Sequence, residues 1–207
     1  MAYLLSALTA RVTADVPAYN SVPSTAQYQQ AVKDAVDAYS LRNPIVDTAT
    51  LSLVADTADY DLPTDFLEVI RMRAPELADY DAEEWEVKGD GTVTFYPTPD
   101  SAHDYLLRYC ARHVGTAVAD PSYADLTDTD ARVLLFLAKA YCLQLQADKA
   151  ARDAWQYTEG DQAVNKVAQS AAFKTMKKEA LDDYERELKE VPTHGRVGLT
   201  ELPKSGD

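Results

Sequence analysis

Cysteine, histidine, glycine and positive charge are all scarce in this chain, and each scarcity excludes something. The two cysteines, Cys110 and Cys142, sit inside apolar segments, which suits reduced core residues in a reducing compartment rather than a disulfide framework. The three histidines, His103, His113 and His194, lie in separate segments with no ligand spacing. No HExxH, CxxC or HxxxH pattern accompanies them, so a transition-metal site is not expected. The seven glycines form neither a G-x-S-x-G elbow nor a phosphate-cradling loop. Twenty Lys and Arg against thirty-four Asp and Glu leave a net charge of −14. That balance argues against gripping nucleic acid phosphates, which usually takes a basic patch. No apolar run has the length and flanks of a membrane span. The short N-terminal one has no basic region before it, so a secretory signal is not expected either.

What is present is ample apolar material, 46% of 207 residues, enough for one large domain or a small domain with an insertion. The densest part runs from Asp128 to Ala147, where only Lys139 is charged between Val133 and Leu143. Leu134, Leu137, Ala138, Tyr141 and Leu145 recur at helical spacing, and Leu135, Phe136, Cys142 and Leu143 make the other faces apolar. A helix of this kind has to be covered on several sides. Thr127 or Asp128 can cap it, with Asp130 favourably placed in the first turn.

Two helices are expected before it. Residues 3–16 place Leu4, Leu5, Leu8, Val12 and Val16 on one broad side. A second helix starts at Ser24 or Thr25, with the stripe Tyr28, Val32, Ala35, Val36 and Tyr39. Asn43-Pro44 ends it, because a residue before proline disfavours the helical region. The period then changes to alternation. Strands are expected at 49–54, 67–74, 85–88, 92–96 and 105–112, the third and fourth forming a hairpin around Gly89-Asp90-Gly91. Residues 43–105 carry fifteen acidic residues against Arg71, Arg73 and Lys88, which is −12 of the total charge.

A long helix is expected from about 161 to 190. Its two apolar stripes are Val164, Val167, Ala168, Ala171 and then Phe173, Met176, Ala180, Tyr184, Leu188. Their phase difference points to different neighbours for the two halves. Pro192 starts a tail whose prolines and glycines exclude regular helix, while Val197, Leu199 and Leu202 are apolar. Such a tail fits a partner or assembly contact. The expected fold is therefore α+β but mainly helical. Residues 1–44 and 113–190 form a helical bundle, 45–112 an inserted small antiparallel acidic β unit, and 191–207 an extended C-terminal tail.

Chemistry is sparse. The run Asp79, Asp81, Glu83, Glu84 lacks the spacing of a calcium loop and reads as a solvated acidic loop. Paired carboxylates there could serve a glycosidase, but no aromatic platform surrounds them. No catalytic constellation, cofactor motif or metal motif is found, so the chain is not expected to be an enzyme.

The order of features carries more information. Two helices precede a β unit opening with Tyr60-Asp61-Leu62-Pro63-Thr64-Asp65-Phe66-Leu67, and the hairpin ends in Pro97-Thr98-Pro99. The apolar helix, the long helix and the tail follow. Within that stretch Pro63 pushes Leu62 to an extended conformation, and Tyr60, Leu62, Pro63 and Phe66 anchor the turn into the next strand. This layout resembles the head-to-tail adaptor proteins of tailed bacteriophages. The resemblance implies a structural virion protein at the neck, made in the host cytoplasm. It would form a homo-oligomeric ring of about twelve copies, bound to the portal protein and to tail or tail-completion proteins. DNA would pass through without being read, and no membrane would be involved. The tail, through Arg196, Val197, Leu199 and Leu202, would contact the portal, and the long helix neighbouring subunits. Asp79, Asp81, Glu83 and Glu84 would line the channel or an interface. The alternative is an acidic interaction module that recognises a basic protein partner.

Overall fold

The computed structural model describes residues 2–73, 85–116, 119–155 and 163–191. Its described elements run β1 (Tyr3–Leu4), α1 (Leu5–Asp15), α2 (Thr25–Arg42), β2 (Ile45–Leu53), β3 (Asp59–Asp61), β4 (Phe66–Arg73), β5 (Trp85–Val87), β6 (Thr92–Phe95), β7 (His103–Ala111), β8 (Ser122–Tyr123), α3 (Asp128–Trp155) and α4 (Ala163–Leu188). The chain divides into two compact units. One comprises Met1–Tyr39 and Val114–Pro192, and the other includes Ser40–His113.

The first unit is built on α3. Val133, Leu134, Leu135, Leu137, Ala138, Ala140, Cys142 and Leu143 are all buried there, so the apolar faces are covered as the sequence requires. Cover comes from Leu5, Leu8 and Val12 of α1, from the whole Tyr28, Val32, Ala35, Val36, Tyr39 stripe of α2, and from Ala180 and Tyr184 of α4. α3 and α4 run antiparallel, with Arg132 paired to Glu187 at 2.7 Å, Lys177 to Gln144 at 2.8 Å, and the Ser170 hydroxyl donating to the Ala147 carbonyl at 3.1 Å. Thr127 caps α3 reciprocally. Its backbone N–H donates to Asp130 at 2.8 Å, while its hydroxyl oxygen accepts the Asp130 N–H at 3.2 Å. Ser24 and Gln27 form the same kind of box at the start of α2. Asp130 is buried and also accepts a hydrogen bond from the Tyr39 hydroxyl.

α3 continues two turns past Ala147 into polar sequence. Gln144 donates to Asp148 and Lys149 pairs with Asp153 at i,i+4 spacing. Buried Gln146 and Asp153 reach the connection between α1 and α2, at the Pro17 carbonyl (2.7 Å) and the Asn20 amide (3.0 Å). Two short strands complete the unit: β1 pairs antiparallel with β8. Asp120 accepts the Ser6 N–H at 2.9 Å and the Ser6 hydroxyl at 2.6 Å, holding the first turn of α1. Gly115 is tight against the start of β8, since a Cβ there would lie 2.5 Å from Pro121 and 3.2 Å from the Tyr123 ring.

The second unit stands on two three-stranded antiparallel sheets, β2-β7-β4 and β3-β6-β5. β2 and β7 pair over nine residues, from Ile45 opposite Ala111 to Leu53 opposite His103. The hairpin of β5 and β6 forms as its alternation predicts, with Gly91 at φ +85° in its turn. The inward side chains of both sheets share one core: Leu51, Leu53, Met72, Tyr105 and Leu107 from the first, Val93 and Phe95 from the second. Phe95 and Tyr105 touch across it with ring centroids 5.0 Å apart.

That separate core corrects the expectation of a mainly helical bundle. With four helices and eight strands in three sheets among the described residues, the fold is α+β without helical dominance. The physical reason is that both sheets bury their apolar faces against each other, so the strands are not decoration on a bundle. No described helix is long and apolar enough to cross a membrane.

Candidate assembly surfaces

Pro63 and its neighbours carry the chain from one sheet to the other. Tyr60 points into the core, edge-on to Phe95 at 5.8 Å. Its hydroxyl accepts the Val54 N–H at 2.8 Å and lies 2.9 Å from the carbonyls of Val54 and Thr57, to which it can donate. Leu62 is buried, and its N–H donates to the Gly91 carbonyl at 2.9 Å. The Phe66 N–H closes the turn on the Pro63 carbonyl at 3.0 Å, and its ring lies 5.8 Å from that of Tyr109. Tyr109 donates in turn to Asp65 at 3.1 Å. Burial, then the Asp65 carboxylate, pushes the Tyr109 phenol up to about 12. The four residues thus pack or bond at the corner between the sheets.

Because the sheets share a core, their other faces point away from it, with Cys110 and Thr94 buried at their centres, and their charges differ. On β2-β7-β4, Arg108 of the central strand lies directly opposite Thr48 on one side and Arg71 on the other. Arg73 follows on the same face, and Arg112 continues the alternation just beyond β7. All four arginines are exposed. Glu68 and Asp104 are the acidic residues on that face. On β3-β6-β5, Asp59 and Glu86 flank Thr94, and Asp61 follows opposite Thr92. Asp59 accepts from Lys88 at 2.8 Å and from the Thr94 hydroxyl. The Lys88 ammonium, then the Thr94 hydroxyl, hold its carboxyl below the usual range. Asp90 in the adjoining turn is lowered by the Thr92 hydroxyl and N–H.

Sequence reasoning missed this division. Its signal is the paired alternation of Arg71 with Arg73 and of Arg108 with Arg112, which a net charge summed over a segment does not reveal. The acidic run of Asp79, Asp81, Glu83 and Glu84 and the tail residues Arg196, Val197, Leu199 and Leu202 lie outside the described residues. His113 is a buried structural residue, its N–H donating to Ser40 at 3.0 Å and its Nε2 lying 3.0 Å from the Asn43 carbonyl. Among the described residues no three His, Cys, Asp or Glu side chains are grouped to hold a metal ion.

A two-sheet unit and a helical unit in one chain are both covered by a single family model, described as SU10 adaptor protein, which matches residues 3–196. The chain belongs to the SU10 adaptor protein family. Membership makes it a structural phage adaptor, a virion component that assembles with other phage head and tail components. The family match spans α1 through α4 and all three described sheets. No curated protein matches the chain.

Proposed function

We propose that this SU10 adaptor forms a ring of about twelve copies between the portal and the tail, through which DNA passes without sequence readout. The observation that carries the reading is the family match over residues 3–196. Residues 1–44 and 113–190 serve as the helical frame, 45–112 as the acidic β unit, and 191–207 as a tail that reaches the portal through Arg196, Val197, Leu199 and Leu202. α4 supplies subunit contacts. Supporting this, Met176 near the start of its second apolar stripe is exposed, at 46%, within the single chain.

The carboxylates of Asp79, Asp81, Glu83 and Glu84 line the channel, where like charge repels phosphate and lets DNA slide. Two experiments test the scheme. Removing Pro192–Asp207 is expected to weaken portal binding at least tenfold while leaving the fold intact. Reversing the four carboxylates to lysine is expected to slow DNA ejection, and ejection at the wild-type rate would remove the channel role.

A further inference from the structure

The second unit is electrically two-sided, and a ring needs two different surfaces that fit each other. Four of the six basic residues in Ser40–His113 project from the outer face of β2-β7-β4 or continue its alternation. Among the described residues no acidic side chain forms an ion pair with Arg71, Arg73, Arg108 or Arg112. Arg71 and Arg108 sit directly opposite each other, a cross-strand pairing that like charges disfavour. The other outer face presents Asp61 and Glu86, both exposed and without a described ion-pair partner, beside Asp59, which Lys88 already neutralises. The shared core of Leu107, Met72, Val93 and Phe95 lies between the two faces, so one unit cannot bring its own arginines onto its own Asp61 and Glu86.

We infer that the arginine face of β2-β7-β4 docks on the Asp61–Glu86 face of β3-β6-β5 in a neighbouring copy. This rests on the ring reading and specifies one of its contacts. Charge complementarity selects the occupant. A two-fold contact through this surface would set its four arginines against only Glu68 and Asp104 of the other copy, whereas basic-on-acidic is heterologous, the type of contact that closes rings. Arginine also matches carboxylate geometry with paired hydrogen bonds, and desolvation at the interface strengthens them. The contact further relieves the repulsion among chains that each carry −14.

The test uses the full chain in three variants. One carries Arg71→Glu and Arg108→Glu, one carries Asp61→Lys and Glu86→Lys, and the third carries all four changes. Assembly is read by sedimentation, alone and with the portal, and circular dichroism checks the fold. Each two-site variant is expected to lose at least tenfold in assembly, and the four-site variant to regain most of it. Wild-type assembly is expected to weaken as salt rises from about 0.05 to about 0.5 M, because the contact is screened. Folded two-site variants that assemble like wild type would overturn this contact and leave the ring standing. A wild type that stays monomeric with and without the portal would overturn both. Unchanged assembly with lost retention of duplex DNA by the arginine variant would make the face a phosphate-binding surface, and the inference would fall.

Discussion

Asp130 serves two roles while buried: it caps α3 through Thr127 and accepts the Tyr39 hydroxyl. Replacing it with alanine removes a helix cap and takes an acceptor from a buried phenol. Asp130→Ala is expected to lower stability by about 2–4 kcal/mol, from the ordinary cost of each loss, as measured by urea unfolding. Two buried ionisable groups add tests of their own. Tyr109 is held neutral, its phenol raised by burial to about 12. A raised folded value means its contribution is complete below the unfolded tyrosine value of about 10 and is lost as pH rises from there toward 12. The β unit should therefore lose stability across that alkaline window, and Tyr109→Phe should flatten the loss. Asp59 and Asp90 are lowered, so their contribution is present above the ordinary carboxylate value and disappears as pH falls through their own lower values. Burial also pushes the Cys142 thiol up to about 12. It should react with a thiol reagent only on unfolding.

At the scale of elements, the two cores form separate clusters, one around α3 and one between the sheets. Leu107→Ala in β7 is expected to cost about 2–5 kcal/mol as a large-to-small core change. Hydrogen exchange should then rise throughout β2, β4 and β7 while α3 keeps its protection. A uniform rise in both units would contradict the separation. The longer elements were legible in the sequence because their periods are long enough to see. Every residue of the α2 stripe is buried as its spacing demands, and the β5–β6 hairpin announces itself through Gly89-Asp90-Gly91. β1, β3 and β8 are only two or three residues long and carry no period. The extension of α3 to Trp155 was hidden because charged residues dominate its sequence, its apolar burial resting on small side chains such as Ala147 and Ala150 beside polar bonds. The arginine face was half legible. Alternation puts Arg71 with Arg73 and Arg108 with Arg112, but only the register, shifted twice by irregularities in β4, puts Arg71 beside Arg108.

At the scale of the whole molecule, net charge misled more than it informed. Residues 43–105 hold −12 of the total −14, which marks the whole β unit as acidic, yet one of its sheet faces is arginine-rich. Averages over a segment erase the alternation that sends successive side chains to opposite faces. For an SU10 adaptor this division matters, because assembly depends on which surfaces meet rather than on the sum of charges. Electron microscopy of the purified chain, alone and mixed with the portal, decides whether the adaptor assembles as a ring. Closed rings with an open centre, seated coaxially on the portal, are the expected result. Single chains under both conditions, or particles with no rotational symmetry, would contradict it.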